Sequence, residues 1–150
     1  MLEPGDDAPE VSAQNQYGET VRPDFDEPTV VYFYPQDFTG GCTIEARDFQ
    51  ATYPKFREGG ITVYGVSMDS VERHDEFAEE EGIIYDLLAD PDGELAAAFG
   101  LDTSEGHTDR VTFVLAAGEI QRVYEPDLAD PEGHAEDVLV DTRNEFVQGG

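Results

Sequence analysis

The sequence predicts an α/β domain with a mixed central sheet flanked by helices and an added N-terminal β-hairpin. Runs of β-branched and aromatic residues alternate with segments of helical spacing along most of the chain. Two strand-like segments near residue 117 are separated only by a tight turn, which predicts an antiparallel part of the sheet. The chain has 150 residues, the usual size of one domain, so we expect residues 1–150 to form a single domain.

The N-terminal elements are a hairpin and a buried strand. Residues 11–13 and 19–22 flank a turn-rich stretch at 15–18, which predicts the hairpin. Residues 29–34 (TVVYFY) are β-branched or aromatic throughout and are ended by Pro35. Such a run without polar alternation is typical of a central strand that is buried on both faces.

Two helices and a second strand follow. Residues 43–56 carry apolar side chains at helical spacing, and Pro54 inside this pattern predicts a kink or an end of the helix. Residues 61–67 (ITVYGVS) predict a strand. Ser70 is placed to cap a helix that continues to about residue 81, where Gly82 provides the C-terminal stop.

The last third begins with a short strand at 86–88 and a small helix at 91–99, stopped by Gly100. Residues 110–115 and 119–124 predict two strands of a tight hairpin. The final predicted element is a helix whose apolar face comprises Ala135, Val138, Leu139, Thr142 and Phe146. In sheets of this kind, ligands bind beyond the carboxyl ends of the parallel strands.

The charge of the chain is strongly acidic. Eight basic and 35 acidic residues give a net charge of −27, and Lys55 is the single lysine. Such a surface repels phosphate backbones and anionic lipids, so we expect neither nucleic acid nor membrane as a partner. The hydrophobic content of 39% argues against a disordered acidic chain. We therefore expect a folded protein from a halophile, because concentrated salt screens the repulsion between carboxylates.

The N-terminal sequence MLEPGDDAPE has no basic region and no apolar run, so it does not resemble a secretory or transit signal. No segment approaches the roughly 20 apolar residues that span a bilayer. The chain has one cysteine, which excludes an internal disulfide and is typical of a reducing compartment. A cytoplasmic protein is the expectation.

The single cysteine, Cys42, lies after Gly40 and Gly41 at the predicted start of a helix. Free backbone N–H groups and the helix dipole at this position stabilise a thiolate and make a cysteine reactive. The alternative is a small buried hydrophobic residue, which is the common fate of a lone cysteine. Local context leaves both interpretations open.

A wider pattern distinguishes them. The spacing Pro35-x-x-x-Thr39-x-x-Cys42 resembles the active-site motif of peroxiredoxins, and the chain is similar to the subfamily called bacterioferritin comigratory protein or peroxiredoxin Q. Further matches lie in family order at residues 33–35 (FYP), 41–46 (GCTIEA), 64–67 (YGVS), 69–71 (DSV), 90–93 (DPDG), 110–113 (RVTF) and 133–135 (GHA). The resemblance covers nearly all of residues 2–146. It implies a thioredoxin-like fold and thiol-dependent peroxidase activity on hydrogen peroxide and organic hydroperoxides.

The resemblance also implies roles for individual residues. Cys42 would be the peroxidatic thiolate, and Thr39 would orient the peroxide through its hydroxyl. Pro35 would shield the thiolate, and the fixed charge of Arg110 would stabilise it and the breaking O–O bond. The N–H groups of Gly41 and Cys42 would complete the pocket.

Three charged residues have alternative interpretations. Glu45 either bridges to an arginine and fixes the pocket or is a first-turn carboxylate favoured by the helix dipole. For Arg110 the alternative is a solvated charge at a strand end. Arg47 stands where many relatives carry a resolving cysteine; it either pairs with surface carboxylates, which is the expectation, or reaches the pocket.

The absence of a second cysteine implies a one-cysteine cycle, in which an external thiol reduces the sulfenic acid. The reductant would be a thioredoxin-like protein or a low-molecular-weight thiol, and the protein a monomer or homodimer. No cofactor and no metal site are expected, since one cysteine and three scattered histidines show no ligand spacing.

Two other functions stay open. A cysteine hydrolase would need His74, His107 or His134 as a base, but each is expected to be a surface residue or a helix cap. A redox-sensing or chaperone-like module would be oxidised once without turnover.

Overall fold

The computed structural model describes residues 1–36, 40–104, 106–125 and 138–139, and for residues 40–42 the backbone alone. The strands in this part of the chain are β1 (Ala13–Gln14), β2 (Thr20–Val21), β3 (Thr29–Phe33), β4 (Thr62–Ser67), β5 (Asp86–Ala89), β6 (Val111–Ala116) and β7 (Glu119–Tyr124). The helices are α1 (Gly40–Glu58), α2 (Val71–Glu81) and α3 (Glu94–Ala98).

The described strands form one mixed sheet in the order β2-β1-β5-β4-β3-β6-β7. Strands β3, β4 and β5 are parallel, whereas β6 and β7 are antiparallel to their neighbours. The N-terminal hairpin β1–β2 adds to the other edge through β5. This confirms the predicted hairpin, the late hairpin and the mixed sheet, and all five residues of β3 are buried as predicted for the central strand.

Alternating side chains of the strands face two hydrophobic clusters, as the period of a strand requires. Val30 and Tyr32 face the cluster that holds Phe49, Phe56 of α1 and Phe77 of α2. Val31 and Phe33 face the second cluster, which holds Phe99 and Phe113. Val138 and Leu139, from the predicted last helix, are helical and buried in the first cluster; the rest of that helix lies outside the described residues.

Helix α2 matches its predicted boundaries because its end signals are strong. The Ser70 hydroxyl accepts a hydrogen bond from the Arg73 N–H at 3.2 Å, as an N-cap does. Gly82 ends the helix in the left-handed region with φ 69°.

Of the two outcomes predicted for Pro54, a kink or an end of the helix, the structure contradicts the end, since α1 continues for four residues beyond it. The following turn is held by Phe56, which is fully buried in the first cluster. It closes as a Schellman motif, in which Ile61 N–H bonds the Phe56 carbonyl and Gly60 N–H bonds the Arg57 carbonyl. Tertiary packing therefore outweighs the hydrogen bond that proline removes.

Helix α3 is shorter than the predicted 91–99. Residues 90–93 form a turn closed by the Gly93 N–H and the Asp90 carbonyl at 3.0 Å, with Pro91 at its second position. The Asp90 carboxylate then accepts the N–H groups of Leu95 and Ala96, each at 3.0 Å. The turn thus displaces the helix start to Glu94.

Within the described ranges, no helix is both long and apolar enough to cross a membrane.

Candidate active site

The sheet topology brings distant segments to one edge. The parallel strands β3 and β4 end there at Phe33 and Ser67, and β6 begins there because it runs antiparallel to β3. Phe33 pairs with Val111, so Tyr34 and Pro35 leave the sheet beside the residue that precedes β6, which is Arg110. The edge is the predicted location of a ligand site in this fold class.

Cys42 is the third residue of α1, which confirms its predicted position in the first turn. The first four N–H groups of a helix have no partner within the helix, and the positive end of the dipole lies there. These features favour a thiolate at this position. The side chain of Cys42 and the whole of Thr39 lie outside the described residues.

Glu45 and Arg110 form a buried ion pair. The Arg110 Nη1 donates to Glu45 Oε1 at 2.7 Å, and the two side chains are 4% and 1% exposed. The interpretation of Glu45 as a bridge to an arginine is confirmed. Both alternatives were wrong: Arg110 is not solvated, and α1 begins early enough that Glu45 lies in its second turn.

The carboxylate of Glu45 is only half satisfied. Its Oε2 atom is buried and has no hydrogen-bond partner in the described part of the chain. Burial raises the pKa of Glu45 from 4.5 to about 7, although the charge and hydrogen bond of Arg110 lower it. The nearby Asp48 raises it further. Glu45 therefore holds the guanidinium in place while keeping a carboxyl that titrates near neutrality.

The segment before Pro35 is held by two contacts. The Tyr34 N–H bonds the Val66 carbonyl at 3.0 Å, and the Thr108 hydroxyl donates to the Tyr34 carbonyl at 3.4 Å. Thr108 is 1% exposed, yet the sequence analysis did not identify it. No local pattern marks it, because it lies 74 residues from Tyr34 and meets it only through the pairing of β3 with β6.

Arg47 lies on the surface and pairs with Glu81, as predicted. Its side chain is 64% exposed, so it does not join the buried pair of Glu45 and Arg110.

The prediction that His74 lies at the surface was wrong. Its side chain is fully buried with Phe77 and Ala78 on the inner face of α2, and its Nε2–H donates to the Leu88 carbonyl at 3.0 Å. The spacing of these three residues is helical, so a histidine that bonds a strand carbonyl can replace an apolar residue there. His107 is exposed in the loop before β6, and His134 lies outside the described residues.

Among the residues that the structure describes, no three histidine, cysteine or acidic side chains come together in a way that could hold a metal ion.

Comparison with known proteins shows the family to which the chain belongs. The sequence model of the AhpC/TSA family matches residues 4–123. Peroxiredoxin Bcp of Xanthomonas campestris is 36% identical over 118 residues, which span 73% of this chain and 72% of that protein.

Solved structures agree with the sequence comparison. Peroxidoxin BcpB from Mycobacterium tuberculosis superposes with a TM-score of 0.86 at 30% identity, covering 96% of this chain and 98% of the other. The bacterioferritin comigratory protein of Xanthomonas campestris, studied for alkyl peroxide reduction, superposes with a TM-score of 0.79 at 31% identity, covering 90% and 91%. The predicted thioredoxin-like fold is thereby confirmed. The chain belongs to the AhpC/TSA family and is an enzyme of its Bcp and peroxiredoxin Q group of thiol peroxidases.

Proposed function

We propose that this protein reduces hydrogen peroxide and organic hydroperoxides by a one-cysteine cycle at Cys42. The observation that carries the proposal is the buried pair of Glu45 and Arg110, 2.7 Å apart, at the sheet edge where α1 begins. A buried guanidinium is costly unless it is paired, so its presence beside a helix N-terminus is typical of a site that stabilises negative charge.

In the first half of the cycle the Cys42 thiolate attacks one peroxide oxygen. The sulfur lone pair forms an S–O bond, the O–O bond breaks, and the leaving oxygen takes a proton to become water or an alcohol. Arg110 stabilises the thiolate and the charge on the leaving oxygen. Thr39 orients the peroxide, Pro35 limits access of water, and the N–H groups of Gly41 and Cys42 lie in the helix turn that faces the substrate.

Glu45 contributes by holding Arg110 rather than by binding the peroxide directly. A guanidinium whose position is set by a carboxylate loses less conformational freedom when the transition state forms. Thr108 acts similarly on the segment that carries Pro35, through the Tyr34 carbonyl. We therefore assign both as positioning residues.

The second half of the cycle requires an external thiol, because the chain has one cysteine. The first thiol attacks the sulfenic acid, forms a mixed disulfide and releases water. A second thiol then releases the Cys42 thiol and leaves with the first as a disulfide. A thioredoxin-like protein or a low-molecular-weight thiol would serve.

The test is a turnover measurement. Under excess reductant we expect continuous peroxide consumption by the wild type and none by the Cys42→Ser variant. Mass spectrometry after one equivalent of peroxide should find one added oxygen on Cys42. Stoichiometric oxidation without turnover under protein and small-molecule thiols alike would contradict the peroxidase and favour a redox sensor.

We further propose that residues 1–150 form one domain that works in a halophilic cytoplasm as a monomer or homodimer. The net charge of −27 and the single lysine support this setting, since concentrated salt shortens the screening length to about 3 Å. Unfolding by urea at 0.2 M and 3 M KCl tests it: we expect a clearly higher midpoint in 3 M KCl. Equal midpoints would contradict a halophilic setting, and sedimentation in 3 M KCl determines the oligomeric state.

A further inference from the structure

A second anchor of α1 lies in the core beneath the candidate site. The hydroxyl groups of Tyr32 and Tyr85 are 2.5 Å apart, and the Tyr85 hydroxyl donates to the Ala46 carbonyl at 3.1 Å. All three residues are at most 1% exposed. Because Tyr85 has one proton and gives it to Ala46, the proton between the two tyrosines comes from Tyr32.

The position of Tyr32 is determined by its neighbours. Its ring stacks on Phe49 of α1 with centroids 4.3 Å apart and an interplanar angle of 6°. On the adjacent strand it pairs with Gly65, where a Cβ atom would lie 2.8 Å from the ring carbon and the hydroxyl oxygen of Tyr32. Gly65 thus provides the space that the hydroxyl end of Tyr32 needs. Burial keeps the pKa of Tyr32 well above its ordinary value, so this hydroxyl remains a donor.

Ala46 connects this hydroxyl pair to the reactive turn. In an α-helix the N–H of one residue bonds the carbonyl four residues earlier, so Ala46 closes the turn that begins at Cys42. Glu45, its neighbour, is held by Arg110 from the β6 side. Ala46 is held by Tyr85 from the β5 side. The start of α1 is therefore held at two adjacent residues, by the residues that immediately precede β5 and β6.

We propose that Tyr85 is a positioning residue for Cys42: through the Ala46 carbonyl it holds the first turns of α1 in the arrangement that reacts with peroxide, and Tyr32 directs its hydroxyl. This inference rests on the proposed function only in its kinetic part. The anchor itself is a property of the fold and is measurable without peroxide. The effect follows from geometry, since a nucleophile displaced by about 1 Å loses a large part of its rate.

The test variant is Tyr85→Phe, which keeps the ring and removes only the hydroxyl. Loss of one buried hydrogen bond shifts a local opening equilibrium about fivefold. We expect amide hydrogen exchange of residues 43–50 to be about fivefold faster and the second-order rate constant for Cys42 oxidation to be about fivefold lower. Tyr32→Phe should move both quantities in the same direction but less, because Tyr85 keeps its bond to Ala46.

Two controls separate positioning from general destabilisation. Phe99→Leu lowers stability in the second cluster, away from α1, and should leave both quantities unchanged. Tyr17→Phe removes an exposed hydroxyl and should also have no effect.

Unchanged exchange and rate in Tyr85→Phe would overturn the proposal, and so would an equal slowing by Phe99→Leu at matched stability. If the wild-type Cys42 did not react with peroxide, the proposed function would fail, whereas the exchange comparison would still decide whether the anchor exists.

Discussion

Two buried carboxylates near helix N-termini differ in how they are satisfied. Asp90, before α3, accepts a backbone N–H on each oxygen, from Leu95 and Ala96 at 3.0 Å. Glu45, in α1, accepts from Arg110 on one oxygen, and its other oxygen has no partner in the described part of the chain. Burial raises the pKa of both carboxyls; at Asp90 the shift is opposed by backbone hydrogen bonds from Leu95, Ala96 and Glu94, and at Glu45 by the charge and hydrogen bond of Arg110.

Under the proposed function, the difference separates a carboxylate that stabilises a helix start from one that positions a catalytic arginine. Asp90 replaces the N-cap of α3, whose own cap residue Gly93 offers no side-chain bond. Glu45 is left half satisfied at the edge where α1 begins, and it orders the guanidinium that the proposed reaction uses. Native proteins keep few unsatisfied buried polar atoms, and those that remain are concentrated at functional sites.

The contrast between Glu45 and Asp90 is tested most strongly by replacing Arg110, the cation that Glu45 holds. Arg110→Met keeps much of the side-chain volume but leaves Glu45 buried without a charge partner. We expect the rate constant for Cys42 oxidation to fall about 100-fold or more and the free energy of unfolding to fall by about 3–5 kcal/mol. Stopped-flow kinetics and urea unfolding measure the two effects. A rate within threefold of the wild type would remove Arg110 from the reaction.

A second prediction concerns pH. The unfolded chain releases the Glu45 proton near 4.5, whereas the folded protein keeps it to about 7. The folded state binds more protons between these values, so its stability is greatest below pH 4.5 and falls as pH rises to about 7. We expect Glu45→Gln to abolish this part of the slope, on the order of 3 kcal/mol.

Urea unfolding of both proteins from pH 4 to 8 at constant salt measures this difference. The pKa values of Asp86 and Asp90 are also raised, but these residues are present in both proteins and their contribution cancels. Parallel curves for wild type and variant would mean that the pKa of Glu45 is the same in the folded and the unfolded protein.

The third prediction concerns Asp90 itself. Asp90→Asn weakens the two bonds to the first turn of α3, and we expect a loss of about 1–2 kcal/mol in the free energy of unfolding. The rate constant for Cys42 oxidation should not change, because the Asp90 carboxylate accepts its hydrogen bonds from the first turn of α3, and the backbone N–H of Asp90, which donates to the Ser67 carbonyl, is kept in the variant. A slowing comparable to that expected of Arg110→Met would erase the distinction between the two carboxylates.

The smallest effect is expected at Arg47. The Arg47 side chain is 64% exposed, so water and salt screen its charge, although the side chain of its partner Glu81 is only 8% exposed. Arg47→Ala should leave the rate constant and the urea midpoint close to those of the wild type. If it slowed Cys42 oxidation as Arg110→Met does, the reaction would depend on general positive charge near α1 rather than on the buried pair.

Much of the fold could be predicted because its signals are local. Ser70 and Gly82 bound α2 as predicted, and the run of residues 29–34 marked the central strand. Where prediction failed, a contact from a distant segment decided the outcome. Burial of Phe56 in the core keeps α1 intact beyond Pro54. The Leu88 carbonyl accepts the hydrogen bond that allows the His74 side chain to be buried.

The candidate site likewise has features that could be predicted from the sequence and contacts that only the tertiary structure decides. The sequence by itself determined the position of Cys42 at a helix start, the acidic charge, and, through the family motif, the residues expected around the thiol. Only the tertiary structure decided that Arg110 meets Glu45 across 65 residues and that Tyr85 reaches Ala46 across 39. Caps and strand runs follow from short-range sterics and hydrogen bonds, whereas the desolvation of a charge depends on strand order and packing, which no short segment encodes.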